Sequence, residues 1–370
     1  MAAVGIADPL VFATHSRDSG IASSCGGVRG EVGEAEYRDT PAFFSTLWGA
    51  VGFNGGMTPD ASIVGSRFLR GLLALFVILG AGGPVGSEAD AAPPLVVETW
   101  NIRCDNPGDG IHAWPHRRND VLTHLRDSRA DIIGLQEALP HQLAVIISGL
   151  EGHGSFGRGR ERDAARGEAV PIFWRRDRWR LDPDHATHFW LSETPEVPGS
   201  MSWKTACTRM VTMVRLLPVG TSGDRGPIWV CNLHLDHQSA EARTKGAALV
   251  RRRMASRPRG MREEPVVILG DFNATPGSPP VETLLAAGDD GAFVDAWRAI
   301  DDRPEEASGS TWNGWNADTR ERRIDYVLVR GLTVRAARIM RPTNDAGPLS
   351  DHWPLRATLD FTPDVDSASE

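Results

Sequence analysis

Residues Val266–Gly277 read VVILGDFNATPG. Four aliphatic residues run into Gly270, and a carboxylate and an amide, Asp271 and Asn273, follow two positions apart before a Pro-Gly turn. An unbroken apolar run of this length predicts a strand buried on both faces, with packing layers above and below its sheet. Taken alone, Asp271 and Asn273 are turn formers, because Asp, Asn, Pro and Gly each suit turns for separate backbone reasons. They gain chemical meaning only if other strand ends deliver reactive groups to the same place.

Working outward, the same β-rich character recurs in Leu95–Trp100, Asp131–Leu135, Pro171–Trp174, Met210–Leu217, Ile228–Leu233, Ile324–Val329 and Pro354–Leu359, separated by polar loops. Helical periodicity covers Arg117–Arg129 and Gln142–Gly149, and is clearest in SAEARTKGAALVRRRMAS from Ser239. Ser239 is placed to cap that helix, and Glu241 lies near the positive end of its dipole. Strands outnumber helices and several are apolar throughout, so the chain is expected to stack two sheets beneath outer helices in one α/β domain. No fixed-period repeat or low-complexity linker follows Pro94, and DVDSASE closes the chain as a frayed tail.

With 370 residues, 41% apolar and 24% charged, the chain can bury a large core and is not of the disordered class. A net charge of −8 gives no global attraction to nucleic acid or an anionic membrane, and leaves room for a local basic face. The N-terminal region differs from the rest. Arg67 and Arg70 precede GLLALFVILGAGG, an apolar run shorter than the ~20 residues a bilayer requires and suited to the core of a secretory signal. Ala89-Asp90-Ala91 supplies a cleavage-type ending. A start at Met57 gives a well-formed signal over 57–91, which leaves 1–56 as an over-called start without a fold and 92–370 as the working domain. Secretion or a periplasmic location is therefore expected. Cys104, Cys207 and Cys231 are too few for a disulfide framework, and no C-x-x-C suggests zinc.

Polar, chemically able residues stand at the C-terminal ends of the expected strands. TWNIR offers Asn101, GLQE offers Glu137, and NLHLDH offers His234, Asp236 and His237. GDFN offers Asp271 and Asn273, RRIDYVLV starts from Asp325, and LSDHWP carries Asp351 and His352. Six such fragments in one order weigh far more than any one of them.

That order resembles the endonuclease/exonuclease/phosphatase (DNase I-like) superfamily, over about Val96 to Leu359. The tract FWLSETPEVPGSMSW (Phe189–Trp203), with GEAVPIFWR before it, is similar to a bacterial branch near the nocturnin and deadenylase group. The resemblance implies a four-layer sandwich, two packed mixed sheets between helices, with the site across their top edge. It also implies a metal-dependent phosphoesterase, most readily a nuclease, with 3′-5′ exonuclease-like action among the forms it can take. Sphingomyelin-type or inositol-phosphate substrates are a second reading, and a non-catalytic binding protein on the same fold is a third. The substrate is then a phosphodiester, with nucleic acid first, and the protein acts as a monomer.

Phosphodiester hydrolysis passes through a highly charged transition state that needs cationic or hydrogen-bond stabilisation. Mg2+ prefers hard oxygen ligands and takes only one or two protein carboxylates. Glu137 and Asp351 are the expected ligands, with Asn101 a neutral oxygen ligand or an orienter; without a soft His/Cys cluster, Mg2+ or Mn2+ is favoured over zinc. By resemblance, His352 is the base or a phosphate-contacting imidazole, with Asp325 holding its tautomer and charge. His234 donates to a phosphate oxygen or the leaving group, while Asp271 and Asn273 orient water and phosphate. Asp236 and His237 are secondary candidates in a motif where Leu233 replaces the usual threonine. Arg209, in CTRM, is either a phosphate contact or a solvated strand-edge arginine. WRRDRWR (Trp174–Arg180) reads as a hairpin, STWNGW (Ser310–Trp315) either stacks a base or sugar or packs a loop, and GRGR (Arg158, Gly159, Arg160 and the residue before) is too short for a phosphate loop.

Overall fold

Alternate residues of Val266–Asp271 face two different cores. Val267 and Leu269 join a cluster with Leu95, Val97, Ile172, Val230, Val327 and Leu355, whereas Val266 and Ile268 pack with Val250, Met254, Val281 and Leu284. This double burial is why the strand is apolar at every position, and each fully buried Val or Leu contributes roughly 1.5–3 kcal/mol. The computed structural model describes residues 93–220, 225–288, 291–300, 309–316 and 322–362. The expected extension 1–56, the signal at 57–91 and the tail lie outside the described residues.

The strands are β1 (Leu95–Asn101), β2 (Ile132–Gln136), β3 (His153–Phe156), β4 (Ile172–Arg175), β5 (Trp179–Trp190), β6 (Met210–Pro218), β7 (Ile228–His234), β8 (Val266–Asp271), β9 (Val294–Asp295), β10 (Asp325–Arg330), β11 (Leu332–Ile339), the short pair β12 (Thr343–Asn344) and β13 (Gly347–Pro348), and β14 (Leu355–Phe361). The longer helices are α1 (Trp114–Asp127), α2 (Pro140–Gly149), α3 (Ala240–Ala255) and α4 (Pro279–Leu285). One six-stranded sheet runs β11-β14-β1-β2-β4-β3 and the other β5-β6-β7-β8-β10-β9. Both are mixed, because β1 and β2 are parallel in the first and β7 and β8 in the second, within otherwise antiparallel neighbours. Helices α1 and α2 cover the outer face of the first sheet through Val121, Leu125 and Ile146, while α3 and α4 cover the second. The chain therefore adopts the expected four-layer sandwich.

Polar side chains tie the sheets together near one end. Asn232 of β7 donates from Nδ2 to the carbonyls of Leu135 and Pro171, both at 2.8 Å, and its Oδ1 accepts from Gln136 Nε2 at 2.7 Å. Buried groups of this kind fix register because each unmade bond is costly. The sheets also approach closely at Gly134, where an added Cβ would stand 1.9 Å from Leu269 Cδ1.

The structure changes one local expectation. Trp174–Arg180 makes a tight turn, with Arg178 N bonded to Arg175 O, but β4 and β5 belong to different sheets. The segment passes the chain between layers and forms no hairpin. Trp174 and Trp179 accordingly both enter the central core.

Candidate functional site

Three neighbouring strands of the second sheet end at one level. The parallel register of β7 and β8 sets His234 beside Asp271, and the antiparallel register of β8 and β10 sets Asp271 opposite Asp325. Gly270 makes this junction possible. Its φ is 143°, and an added Cβ would lie 2.0 Å from the carbonyl oxygen of Leu233. Only glycine tolerates both.

The first sheet brings its own strand ends to the same edge. Asn101 closes β1 opposite Gln136, so Glu137 is the next residue, held at a positive φ of 61°. Asp351 and His352 lie just before β14, anchored by Trp100 Nε1 donating to His352 O at 3.0 Å and by an isolated bridge between Trp312 and His352. Side chains from the two sheets then meet. Asn101 Nδ2 donates to Glu137 Oε1 at 2.9 Å and to Asp271 Oδ2 at 3.0 Å. His234 Nε2 lies 3.3 Å and His352 Nε2 3.8 Å from that same Asp271 oxygen. His352 Nδ1 is 2.9 Å from Asp325 Oδ2. Asn273, itself at a φ of 47°, donates its backbone N–H to Asp271 Oδ1 at 2.8 Å and places its Nδ2 3.0 Å from His234 Nε2.

Burial sets the electrostatics. It disfavours a charged His352, but the carboxylates of Asp325 and Asp271 outweigh it and raise the imidazole to about 10. Asp271 moves up to about 7, through burial and the neighbouring charge of Asp325, against the pull of His352. His234 falls well below its usual value because burial is reinforced by Arg209 and Arg160, so it is neutral. Burial would raise Glu137, yet the Arg103 charge, Asn101 and the Cys104 N–H hold it low; Asp351 is raised by burial and by the charge of Glu137.

Among these groups, Glu137 and Asp351 best fit a hard cation. They are two half-buried carboxylates, their repulsion visible in the raised Asp351, and Arg103 Nη1 lies 4.0 Å from Asp351. Asn101 takes the orienting place rather than that of a ligand, because its Oδ1 accepts from Arg103 N at 3.0 Å while Nδ2 faces the carboxylates. Asp271, Asp325 and His352 also bring donor atoms within 4.8 Å of one another, but there the imidazolium already balances the carboxylates. Cys207, Asp236 and His237 form a second such group. It is poorly suited to a cation, since Asp236 accepts from Thr205, Ala206, Gln238 and Ser239 and His237 Nδ1 faces the Arg209 guanidinium at 2.9 Å.

Of the secondary candidates, then, Asp236 builds the loop before α3 and His237 lies at its exposed edge. Arg209 is no solvated strand-edge residue: it is 5% exposed and lines a hollow with Glu137 and His234. Arg160 lines the same hollow, although GRGR gave no sign of it. Arg117, named from sequence only as the start of a helical stretch, is 1% exposed and donates to the carbonyls of His112, Arg103 and Leu349, tying down the loops that carry Arg103 and Asp351. Trp312 lies over the Arg322 guanidinium and Trp315 stacks on His112 at 4.5 Å, so both aromatics of the STWNGW loop have packing partners within the chain.

The model of the Endonuclease/Exonuclease/phosphatase family matches residues 99–352, and the chain belongs to that family, whose members hydrolyse phosphoester bonds and are generally divalent-metal dependent. The carbon catabolite repressor protein 4 homolog 2 of Arabidopsis thaliana is 27% identical over 258 residues, which is 58% of this chain but only 41% of that protein. A mannosyl-6-phosphatase of Bacteroides thetaiotaomicron VPI-5482 superposes with a TM-score of 0.65 at 28% identity, covering 72% of this chain and 100% of the other. D. rerio TDP2 in complex with a single-strand DNA product shares the fold at 18% identity and a TM-score of 0.56, covering 72% of this chain and 99% of that one.

Proposed function

We propose that this chain is an exported phosphoesterase that uses Mg2+, or Mn2+, held by Glu137 and Asp351. The observation that carries the reading is the meeting of His234, Asp271 and the Asp325–His352 pair at one level, beside those two carboxylates. A divalent cation there would neutralise phosphate oxygens and developing charge. His352 already holds its proton, which supports the phosphate-contacting role over that of base: its Nε2 can donate to a non-bridging oxygen. Asp271, raised to about 7, is suited to accept the proton of the attacking water. Asn273, fixed by Asp271 and adjacent to the neutral His234, orients water and phosphate. Asn101 holds Glu137 and Asp271 at a set separation.

A nuclease is the first substrate reading, supported by the fold shared with a DNA-bound protein. A phosphomonoester is the second, favoured by the paired arginines beside His234 and by the likeness to a sugar phosphatase. The purified protein with Mg2+ or Mn2+ should turn over at least one of bis-p-nitrophenyl phosphate, p-nitrophenyl phosphate, single-stranded DNA, RNA or mannose 6-phosphate. Asp271→Asn and His352→Ala should each abolish that turnover. No hydrolysis of any of them with either ion would remove the enzyme reading, and full activity of either variant would remove the site.

A further inference from the structure

Four guanidiniums stand near the catalytic level, and three of them are committed within the chain. Arg117 donates to the carbonyls of Ile102, Arg103, Cys104, His112 and Leu349. Arg160 holds Glu168 through both terminal nitrogens, and the buried Arg209 lies among Glu168, Asp236 and His237. Arg103 differs. Its Nε and Nη2 make a two-pronged pair with Asp109 at 2.9 and 3.0 Å, while Nη1 makes no hydrogen bond among the described residues and lies 4.0 Å from Asp351 Oδ2. Its side chain is 23% exposed, against at most 6% for those of His234, Asp271, Asp325 and His352. A substrate can therefore reach this guanidinium from solvent.

The backbone holds Arg103 in an unusual place. Its φ is 57°, a left-handed conformation that a residue with a Cβ seldom adopts. Three hydrogen bonds keep it there: its N–H donates to Asn101 Oδ1 at 3.0 Å, and its carbonyl accepts from Arg117 Nη2 at 2.8 Å and from Gln142 Nε2 at 3.0 Å. Asp109 is fixed in turn, since Asn106 Nδ2 donates to its Oδ1 at 3.1 Å. Strain held by several contacts beside a reactive site marks a residue whose position matters. A guanidinium that only balanced Glu137 and Asp351 would sit in contact with them, whereas Arg103 turns its fork to Asp109 and stops 4.0 Å short of Asp351. Glu137, Asp351 and Asp109 exceed Arg103 and Arg117 by one negative charge. A bound divalent cation reverses that to one positive charge, which suits an anion.

We infer that Arg103 Nη1 donates to a non-bridging oxygen of the scissile phosphate, and that Asp109 is the positioning residue that aims it. The inference rests on the phosphoesterase reading above. The guanidinium stays protonated throughout, so the contact moves no proton; it adds a fixed cationic donor beside Glu137 and Asp351 and supplements the imidazolium of His352. Charge-assisted bonds of this kind are about twice as strong as neutral ones. With Nε and Nη2 bound to Asp109, the side chain has little freedom left to lose when substrate arrives.

The test compares Arg103→Gln, Arg103→Lys, Asp109→Asn and the double variant Arg103→Gln/Asp109→Asn with the parent protein. Hydrolysis of bis-p-nitrophenyl phosphate is followed across Mg2+ concentrations, inorganic phosphate binding is measured by calorimetry with Mg2+ present, and circular dichroism and Tm control for folding. At saturating Mg2+, Arg103→Gln should lose about a hundredfold in kcat/KM and bind phosphate at least tenfold more weakly. Its Mg2+ concentration for half-maximal activity should not rise, because removing a cation from beside two carboxylates does not weaken their hold on another. Arg103→Lys, a point charge without the fork, should lose about tenfold. Asp109→Asn should also lose about tenfold, and that loss should vanish in the Arg103→Gln background, because a positioning residue has nothing left to aim. Arg103→Gln within about threefold of the parent, unaltered phosphate affinity, or activity fully restored by more Mg2+ overturns the inference. Additive losses in the double variant remove the role of Asp109. If Arg103→Gln fails to fold, Arg103→Lys decides alone, and parent-like turnover and phosphate affinity in it overturn the inference. A parent without turnover would sink the phosphoesterase reading, and phosphate binding by parent and variant would still decide whether Arg103 contacts phosphate.

Discussion

Replacing Asp325 by Asn tests the charge at the centre of the site. Asp325 Oδ2 lies 2.9 Å from His352 Nδ1, and both side chains are buried. Two unit charges about 4 Å apart at an effective dielectric of about 20 attract by about 4 kcal/mol. The amide keeps the shape and a hydrogen-bond acceptor but removes that attraction, so the imidazolium loses its main stabilising partner. If its charge stabilises the transition state, kcat should fall about a thousandfold, since each 1.36 kcal/mol is about tenfold. That lies inside the ~10²–10⁴-fold contribution of positioned acid–base groups. Two further readouts separate this from general damage. In the metal-free protein, NMR titration of His352 should show its pKa falling from about 10. The acid limb of the pH–rate profile should also shift to lower pH, because Asp325 is one of the two causes that push Asp271 up. A variant that keeps kcat within about fivefold of the parent while its His352 pKa drops would refute the reasoning, because the charge would then be irrelevant to turnover.

Gly270→Ala should unfold the junction rather than tune activity. The Cβ would stand 2.0 Å from Leu233 O at a φ of 143°, so a loss of at least about 3 kcal/mol in urea denaturation is expected, and a loss below about 1 would contradict the geometry. Glu137→Gln should keep Tm within a few degrees yet raise the Mg2+ concentration for half-maximal activity at least tenfold; an unchanged Mg2+ dependence would exclude Glu137 as a ligand. His188 stacks on Phe156 at 4.5 Å, and burial together with Arg158 lowers its pKa to about 4. Below its ordinary value of 6.5 the unfolded chain binds a proton that the native state refuses, so stability falls as pH drops from about 6.5 to about 4, by at most about 3 kcal/mol. His188→Gln should flatten that slope in denaturation measured across this range, and an unaltered slope would show that another group carries it.

The fold was legible because its strands are buried twice. VVIL and IWVC have no polar face to lose, and that continuity distinguishes a sandwiched strand from the alternating kind. Strands lacking this signature were missed. β11 reads LTVRAARI and shows water one face, and β5 carries Asp182, His185 and His188 along an irregular register, so neither announces its neighbours. The hairpin reading of Trp174–Arg180 failed for a related reason: a tight turn encodes the reversal of the chain but not the sheet that the next strand joins, which is decided by packing far away in sequence.

The site was legible where backbone position does the work and illegible where long side chains reach in. Asn101, Glu137, His234, Asp271 and Asp325 stand at strand ends, and register alone brings three of them to one level. Arg160 and Arg117 reach their places from a loop and a helix through flexible stems, and nothing in GRGR or in the α1 pattern says where a guanidinium will stop. Arg209 shows the boundary between the two cases. Its backbone place just before β6, opposite the end of β7, could be read from the motif, and its side chain could not: two of its nitrogens are buried without a bond among the described residues, and only three-dimensional accounting of donors reveals that.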